Sequence, residues 1–124
     1  MDLSKIGQIM HFDLTVPDAE NISKFYSEVV GWGIHPLSMG EYDDYMMTDP
    51  QSGDPVAGVC HSKGGNANLP AQWLLYIPVE DLNKSLEKCV EMGGKILGEK
   101  KEMGPAFYCL IQDPAGAYLM LCGK

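Results

Sequence analysis

An imidazole and a carboxylate alternate near the amino terminus, at His11 and Asp13. They fall within residues 8–16, which alternate apolar and polar side chains with the period of a half-buried β-strand. Both groups would then project from one strand face, about 7 Å apart, where each can influence the other's protonation. Tyr76, on a later strand, could complete an acid–base set with them. Alternatively, His11 and Asp13 are hydrogen-bonded side chains on a hydrated cavity floor, because no nucleophile or oxyanion donor accompanies them.

An internal repeat indicates which elements position these residues. Val16 and Asp18 match Val79 and Asp81, in each case 63 positions further along the chain. Each copy continues with a helical stretch that ends at glycine, and later has an Asp-Pro pair after an apolar strand. Self-similarity over this length predicts that one supersecondary unit occurs twice.

Each copy is predicted to be a β-α-β-β-β module. In the first copy the helix is capped by Asp18, ends before Gly31 and packs through five apolar residues: Ile22, Phe25, Tyr26, Val29 and Val30. The three strands after the helix are predicted at 33–38, 42–48 and 56–61, and in the second copy at 95–98, 106–112 and 117–122.

The predicted fold is α+β, with two tandem βαβββ modules forming a curved mixed sheet around a central cavity. The modules would span residues 6–62 and 72–123 of a single domain covering residues 1–124, joined by a polar, Gly-rich linker at 63–71. The strand faces away from the helices would line the cavity.

Composition narrows the range of partners. The net charge is -8 and all nine cationic residues are lysine, so nucleic-acid binding is not expected and no arginine is present to clamp an anion. A neutral or cationic ligand fits this balance better. We expect no membrane partner, because no apolar run approaches the roughly 18 residues that cross a bilayer. The four scattered cysteines and the absence of a signal-like start favour the cytoplasm.

Two motifs resemble those of the vicinal oxygen chelate superfamily. One is Val-x-Asp followed by a helix with Phe25-Tyr26 and the ending Val30-Gly31-Trp32; the other is Asp113-Pro114-Ala115-Gly116 before an apolar strand. That superfamily includes glyoxalase I, bleomycin-resistance proteins, extradiol dioxygenases, methylmalonyl-CoA epimerase and fosfomycin-resistance enzymes. The resemblance covers nearly the whole chain and implies the paired-module fold.

The resemblance also implies where a metal would bind, with ligands from the first and last strand of each copy. His11 occupies the first of these positions, but Leu74 and Met120 occupy two others, and neither suits a hard or borderline ion. In the last strand of the first copy only Cys60 and His61 could bind a metal. We therefore expect no cofactor and disfavour a divalent metal; if one binds, it does so at His11.

The remaining predicted contacts to a ligand come from both copies, and they are Thr15, Trp32, Cys60, Gln72, Leu74, Tyr118 and Met120. The parity of its strand places Trp73 on the helix-packed side. The acidic run at 41–45 is interpreted as a solvated hairpin turn, which could also attract a cationic ligand.

These observations favour a metal-independent protein that binds a small, partly aromatic or cationic molecule as a homodimer, as bleomycin-resistance proteins do. The alternative is a glyoxalase-type lyase or isomerase. It would use a divalent metal at His11, recruited through Cys60 or His61, or acid–base chemistry by His11, Asp13 and Tyr76. The sequence leaves open whether the protein is an enzyme.

Overall fold

The computed structural model describes residues 3–124, which form eight strands and two α-helices. The elements are β1 (His11–Val16), α1 (Ala19–Val30), β2 (Gly33–Ser38), β3 (Asp43–Thr48), β4 (Pro55–His61), β5 (Leu74–Pro78), α2 (Leu82–Glu91), β6 (Lys95–Met103), β7 (Ala106–Gln112) and β8 (Tyr118–Gly123). A single 3₁₀ turn lies at Gly64–Asn66. The order β-α-β-β-β occurs twice, so the predicted α+β class and repeat are confirmed. No helix within residues 3–124 is long and apolar enough to cross a membrane.

The described chain forms two compact units. The first unit is Phe12–Trp73, and the second unit is Leu74–Lys124 together with residues 3–11. The strand order is β2-β3-β4-β1 in the first unit and β5-β8-β7-β6 in the second. In each unit the last strand pairs in parallel with the first strand and antiparallel with the strand before it. Both units therefore share one topology.

The residues before β1 belong to the second unit. The backbone N–H of Gly7 donates to the carbonyl of Pro78 at 2.9 Å, and that of Met10 donates to the carbonyl of Tyr76 at 2.8 Å. For this reason β1 begins at His11, three residues later than the alternation at 8–16 predicts.

Both helices begin at the predicted aspartates. A side-chain oxygen of Asp18 accepts the N–H of Asn21 at 3.1 Å, and one of Asp81 accepts the N–H of Lys84 at 3.1 Å. Hydrogen bonds from Asn21 lower the pKa of Asp18, because they favour its charged form. The first helix ends at Gly31, whose φ of 92° lies in the left-handed region that favours glycine.

The repeat also extends to the hairpin turns that precede β4 and β8. Asp49 Oδ1 accepts the N–H of Gln51 at 2.8 Å, and Asp113 Oδ1 accepts the N–H of Ala115 at 2.8 Å. Each Asp-Pro pair therefore forms a turn closed by its own carboxylate, which aims the last strand of the unit back along the sheet.

The packed stripe of α1 differs from the prediction. The helix buries Ala19 and Ser23, with Ile22 and Tyr26 partly buried beside them, against a cluster that includes Met47, Ala57 and Val59. Phe25, by contrast, is 55% exposed, and Val29 and Val30 are exposed as well. Because the side chains of Ala19 and Ser23 are small, the helix approaches the sheet closely on this side. The packed face of α1 is therefore rotated away from its bulkiest residues.

In the second unit α2 packs through Leu82 and Leu86 against Cys109 of β7 and Leu121 of β8. The edge strand β6 extends to Met103, beyond the predicted 95–98. The pairing of β6 with β7 changes register between Leu97 and Lys101. Gly98, whose φ is 82°, lies between these two residues. The glycine marks an irregularity in a strand that continues past it.

Candidate functional site

The face of the first sheet that points away from α1 carries Asp13, Thr15 and Cys60. Thr15 pairs with Cys60 and Asp13 pairs with Gly58, in the parallel register of β1 and β4. The alternate residue on β4, Val59, lies in the cluster under α1. Successive side chains of a strand point to opposite faces, so these groups lie on the face that the sequence predicts for a ligand.

Asp44 joins this face, although the sequence analysis assigns it to a solvated turn. That interpretation is wrong, because only 6% of the residue is exposed. Asp44 Oδ1 accepts the backbone N–H of His61 at 2.8 Å, which ties the start of β3 to the end of β4. The carboxylate therefore has a partner, and its burial does not leave it unsatisfied.

The thiol of Cys60 is held in its protonated form. Burial raises its pKa most, followed by the negative charges of Asp13 and Asp44 and a hydrogen bond to Asp44. A thiol in this environment is a poor nucleophile and a poor metal ligand, because both roles need the thiolate.

His61, the other donor considered for a metal, has one of its two ring nitrogens hydrogen-bonded. Its Nδ1 lies 2.8 Å from the carbonyl oxygen of Asp43, which can only accept, so Nδ1 carries the proton. Its ring also contacts Tyr42 and Tyr45, with centroids 5.5 and 6.2 Å away. Cys60 and His61 are adjacent on β4 and therefore project from opposite faces of the sheet.

In the second unit an aromatic row lies on the sheet face away from α2. The rings of His11 and Tyr76 meet edge to face at 5.5 Å, and Tyr76 lies 6.5 Å from Tyr108. Met120 is the partner of Tyr76 in the register of β5 and β8. Two of the three acid–base candidates, His11 and Tyr76, are thus in contact within one unit.

Two residues that the sequence predicts to contact a ligand are apolar and buried in the second unit. Leu74 is 0% exposed and Met120 is 1% exposed. Tyr118 is half-buried at the start of β8, opposite Gln112. Gln72 precedes β5 in the segment after the 3₁₀ turn, where its N–H donates to the carbonyl of Pro70 at 2.9 Å, so it is not a strand residue.

Trp32 lies in an aromatic cluster on the α1 side of the first unit, not beside Cys60. Its ring centroid is 5.9 Å from that of Trp73 and 6.2 Å from that of Tyr26. Trp73 Nε1 donates to the hydroxyl of Tyr26 at 3.2 Å. Trp73 packs on the α1 side of the first unit. Its parity predicts the helix-packed side of the second copy, but it precedes β5 and is not a strand residue.

Replacing Tyr26 with Phe is expected to lower the free energy of unfolding by about 1 kcal/mol, because the half-buried indole N–H loses its acceptor. Urea denaturation followed by tryptophan fluorescence measures this directly, since both tryptophans lie in the cluster. Tyr118→Phe is the control, because that hydroxyl makes no hydrogen bond among the described residues. Equal stability of Tyr26→Phe and wild type would contradict the assigned bond.

The donor set does not match the metal centre that the resemblance implies. Gly58 pairs with Asp13 as Met120 pairs with Tyr76, so the β4 position equivalent to Met120 has no side chain. The four positions therefore hold His11, Leu74, Gly58 and Met120. Within residues 3–124, no group of three or more His, Cys, Asp or Glu residues could hold a metal ion.

Sequence reasoning did not identify Gly58 as a site residue, and it assigned Asp44 only to an acidic turn that could attract a cation. A cross-strand register was needed for each, and the sequence gives strands without their partners. Only Gly58 carried a usable signal, since a glycine inside an apolar strand often marks a close approach of another group.

Residues 8–121 match the Glyoxalase/Bleomycin resistance protein/Dioxygenase superfamily, and the chain belongs to it. Among curated relatives, a protein called putative glyoxylase CFP32 from Mycobacterium bovis is 31% identical over 109 residues, which are 85% of this chain and 41% of that protein. The chain thus spans about two fifths of that relative's length. A glyoxylase-like domain-containing protein from Didymella fabae is 31% identical over 102 residues, 80% of this chain and 78% of that protein.

Solved structures support the same fold. A superfamily member from Vibrio splendidus aligns with a TM-score of 0.59 at 15% identity, covering 92% of this chain and 97% of that one. Methylmalonyl-CoA epimerase from Mycobacterium tuberculosis aligns with a TM-score of 0.56 at 13% identity, covering 100% of this chain and 92% of the epimerase. At these identities the likeness concerns the fold alone.

Proposed function

We propose that this chain binds a small, partly aromatic or cationic molecule without a metal, on the strand faces that point away from the two helices. The observation that carries the proposal is the replacement of chelating groups by Leu74, Gly58 and Met120 at three of the four positions that the family resemblance implies. A hydrogen atom at position 58, a hydrocarbon at 74 and a thioether at 120 supply no donor suited to a hard or borderline ion, so the proposed binding does not involve a metal.

The charged and aromatic side chains on these strand faces favour a cationic, partly aromatic ligand. In the first unit Asp13 and Asp44 flank Cys60. In the second unit the rings of Tyr76 and Tyr108 offer stacking surfaces. With a net charge of -8 and no arginine in the chain, these features favour an aromatic cation over an anion.

A homodimer in the cytoplasm is the proposed working form. The exposed apolar side chains Phe25, Val29 and Val30 on α1 would be protected by a partner. The four free cysteines are typical of a reducing compartment.

A thermal-shift screen tests the proposal. Planar cations such as proflavine are expected to raise the melting temperature, and uncharged planar compounds of similar size are expected to raise it less. Ligand at a hundred times its dissociation constant adds about 2.7 kcal/mol of stability, which shifts the transition measurably. Asp13→Asn should reduce the shift, whereas Glu41→Gln, in the exposed hairpin, should not. Equal shifts by anions would contradict the proposal.

Metal analysis of protein purified without chelator tests the proposal that binding does not involve a metal. Less than about a tenth of an equivalent of zinc, nickel, iron or manganese is expected, because the ligand positions lack donors. Stoichiometric metal that is lost in His11→Ala would overturn it.

The second candidate is a lyase or isomerase of the glyoxalase type, favoured by the contact between His11 and Tyr76. His11, Asp13 and Tyr76 would then exchange protons with the substrate, or a metal at His11 would recruit Cys60 or His61. Cys60 and His61 project from opposite faces of β4, so the two could not bind one metal together. Turnover of a hemithioacetal by protein with added nickel or zinc, abolished in both His11→Ala and Tyr76→Phe, would establish this candidate.

A further inference from the structure

The second unit has a groove on the α2 side of its sheet, away from the face that carries Tyr76 and Met120. The groove has a volume of about 590 Å³, within the range of small-molecule sites. Five residues line it: Asn83, Leu86, Glu87, Val90 and Ile96. It lies between α2 and the edge strand β6.

Apolar side chains form the floor of this groove. Val90 is 56% exposed and Ile96 is 39% exposed. Ile96 pairs with Ile111, which packs against the cluster under α2, so Ile96 points to the helix side. The helix and the edge strand diverge here and leave hydrocarbon open to solvent.

Among the five residues that line the groove Glu87 alone is charged, and its charge is negative. Glu87 makes no hydrogen bond or ion pair among the described residues. Lys100 does not line the groove; its Nζ donates to Asn83 Oδ1 at 2.7 Å and lies 5.4 Å from the ring centroid of Phe107. A bound cation could therefore approach Glu87 without displacing an existing partner.

None of the other charged side chains of α2 lines the groove. Asn83, Glu87 and Val90 are spaced i, i+4 and i+7 and so share one face of the helix. Glu91, one turn beyond Glu87, is paired with Lys88 at 3.3 Å. The groove thus combines an apolar floor with a single unpaired carboxylate.

We propose that this groove binds a hydrophobic organic cation, a molecule with an aromatic or alkyl body and one ammonium group. The body covers Val90 and Ile96, and the ammonium group lies beside Glu87. This site is separate from the face invoked for the proposed function, so either assignment can fail without the other.

Amide chemical shifts of the full chain test the proposal, with benzyltrimethylammonium as the probe and benzyl alcohol and benzoate as matched neutral and anionic compounds. The expected result is saturable shifts at Asn83, Glu87 and Val90 that are strongest for the cation, weaker for the alcohol and absent for benzoate. Shifts elsewhere only, or benzoate binding as tightly as the cation, would overturn the proposal.

Two variants separate the contributions of charge and hydrocarbon. Glu87→Gln is expected to weaken cation binding about two- to fivefold, the value of one exposed ion pair, and to leave alcohol binding unchanged. Val90→Thr should weaken both. Glu28→Gln, an exposed glutamate on α1 in the first unit, is the matched control and should change neither. Equal affinity of Glu87→Gln and wild type for the cation would overturn the assignment.

A second copy of the chain is the competing occupant of an open apolar groove. Amide spectra recorded over a range of protein concentrations, without probe, distinguish it. Unchanged shifts at Val90 and Ile96 are expected; concentration-dependent shifts at these residues would mean that another copy covers the groove, and the proposal would fail.

Discussion

Replacing Met120 with Glu is expected to lower the free energy of unfolding by on the order of 3 kcal/mol, because it places a carboxylate where only 1% of the side chain meets solvent. Met120 pairs with Tyr76 on β5 and with Leu110 on β7, and neither partner can neutralise a charge. The penalty should shrink as the pH falls, since a buried carboxyl has a raised pKa and is neutral when protonated. Urea denaturation at two pH values measures both effects.

Met120→Leu is the matched control, because it conserves volume and hydrophobicity and should cost less than about 1.5 kcal/mol. Added zinc or nickel provides a further comparison. The family resemblance implies that position 120 provides a metal ligand. Because Leu74 provides no donor at another of the four positions, added metal is expected to restore little of the lost stability. A Met120→Glu variant as stable as wild type at neutral pH would contradict the burial of this position.

The elements of the fold were predictable because their signals are local. Asp18 and Asp81 cap helices through hydrogen bonds to residues three positions away, and Gly31 ends α1 in a conformation that few other residues adopt. The repeat strengthened these signals, since Asp49 and Asp113 form the same turn in the two units. Each of these features depends on neighbours in sequence.

The errors have a common physical origin in contacts between distant residues. In the sequence, Asp44 lies in a run of charged residues typical of a turn. In the structure β3 pairs with β4, and the carboxylate of Asp44 accepts the N–H of His61, 17 residues away. The apolar stripe predicted for α1 runs through Phe25, whereas the helix packs against the sheet through the smaller side chains of Ala19 and Ser23. Hydrophobicity alone does not reveal which face can approach most closely.

The candidate site was predictable at the level of strand faces but not of partners. Alternation placed Asp13 and Thr15 opposite the helix-packed side, and the register of β1 and β4 agrees. Trp32 follows a helix end instead of an alternating strand, so parity could not assign it, and it packs with Tyr26 and Trp73. Strand periodicity is informative only within a strand.

Replacing Asp44 with Asn is expected to make Cys60 more reactive toward iodoacetamide. In the wild type the burial of Cys60 and the charges of Asp13 and Asp44 raise its thiol pKa, so little thiolate forms at pH 8. The variant removes one charge and the carboxylate that the thiol contacts, while the Asn amide oxygen can still accept the N–H of His61. The thiol pKa should fall, and each unit of decrease gives about tenfold more thiolate.

Mass spectrometry of alkylated peptides measures the rate at each cysteine separately, which provides an internal reference. Burial alone raises the pKa of Cys122 to about 11, so its rate should be the same in Asp44→Asn and wild type. Asp43→Asn, next to Asp44 but exposed, should leave Cys60 unreactive. If Cys122 and Cys60 accelerate together, the variant has loosened the whole sheet; if neither changes, the charge of Asp44 does not control the thiol. Selective acceleration of Cys60 would establish that the buried carboxylate keeps this thiol protonated on the face proposed to meet the ligand.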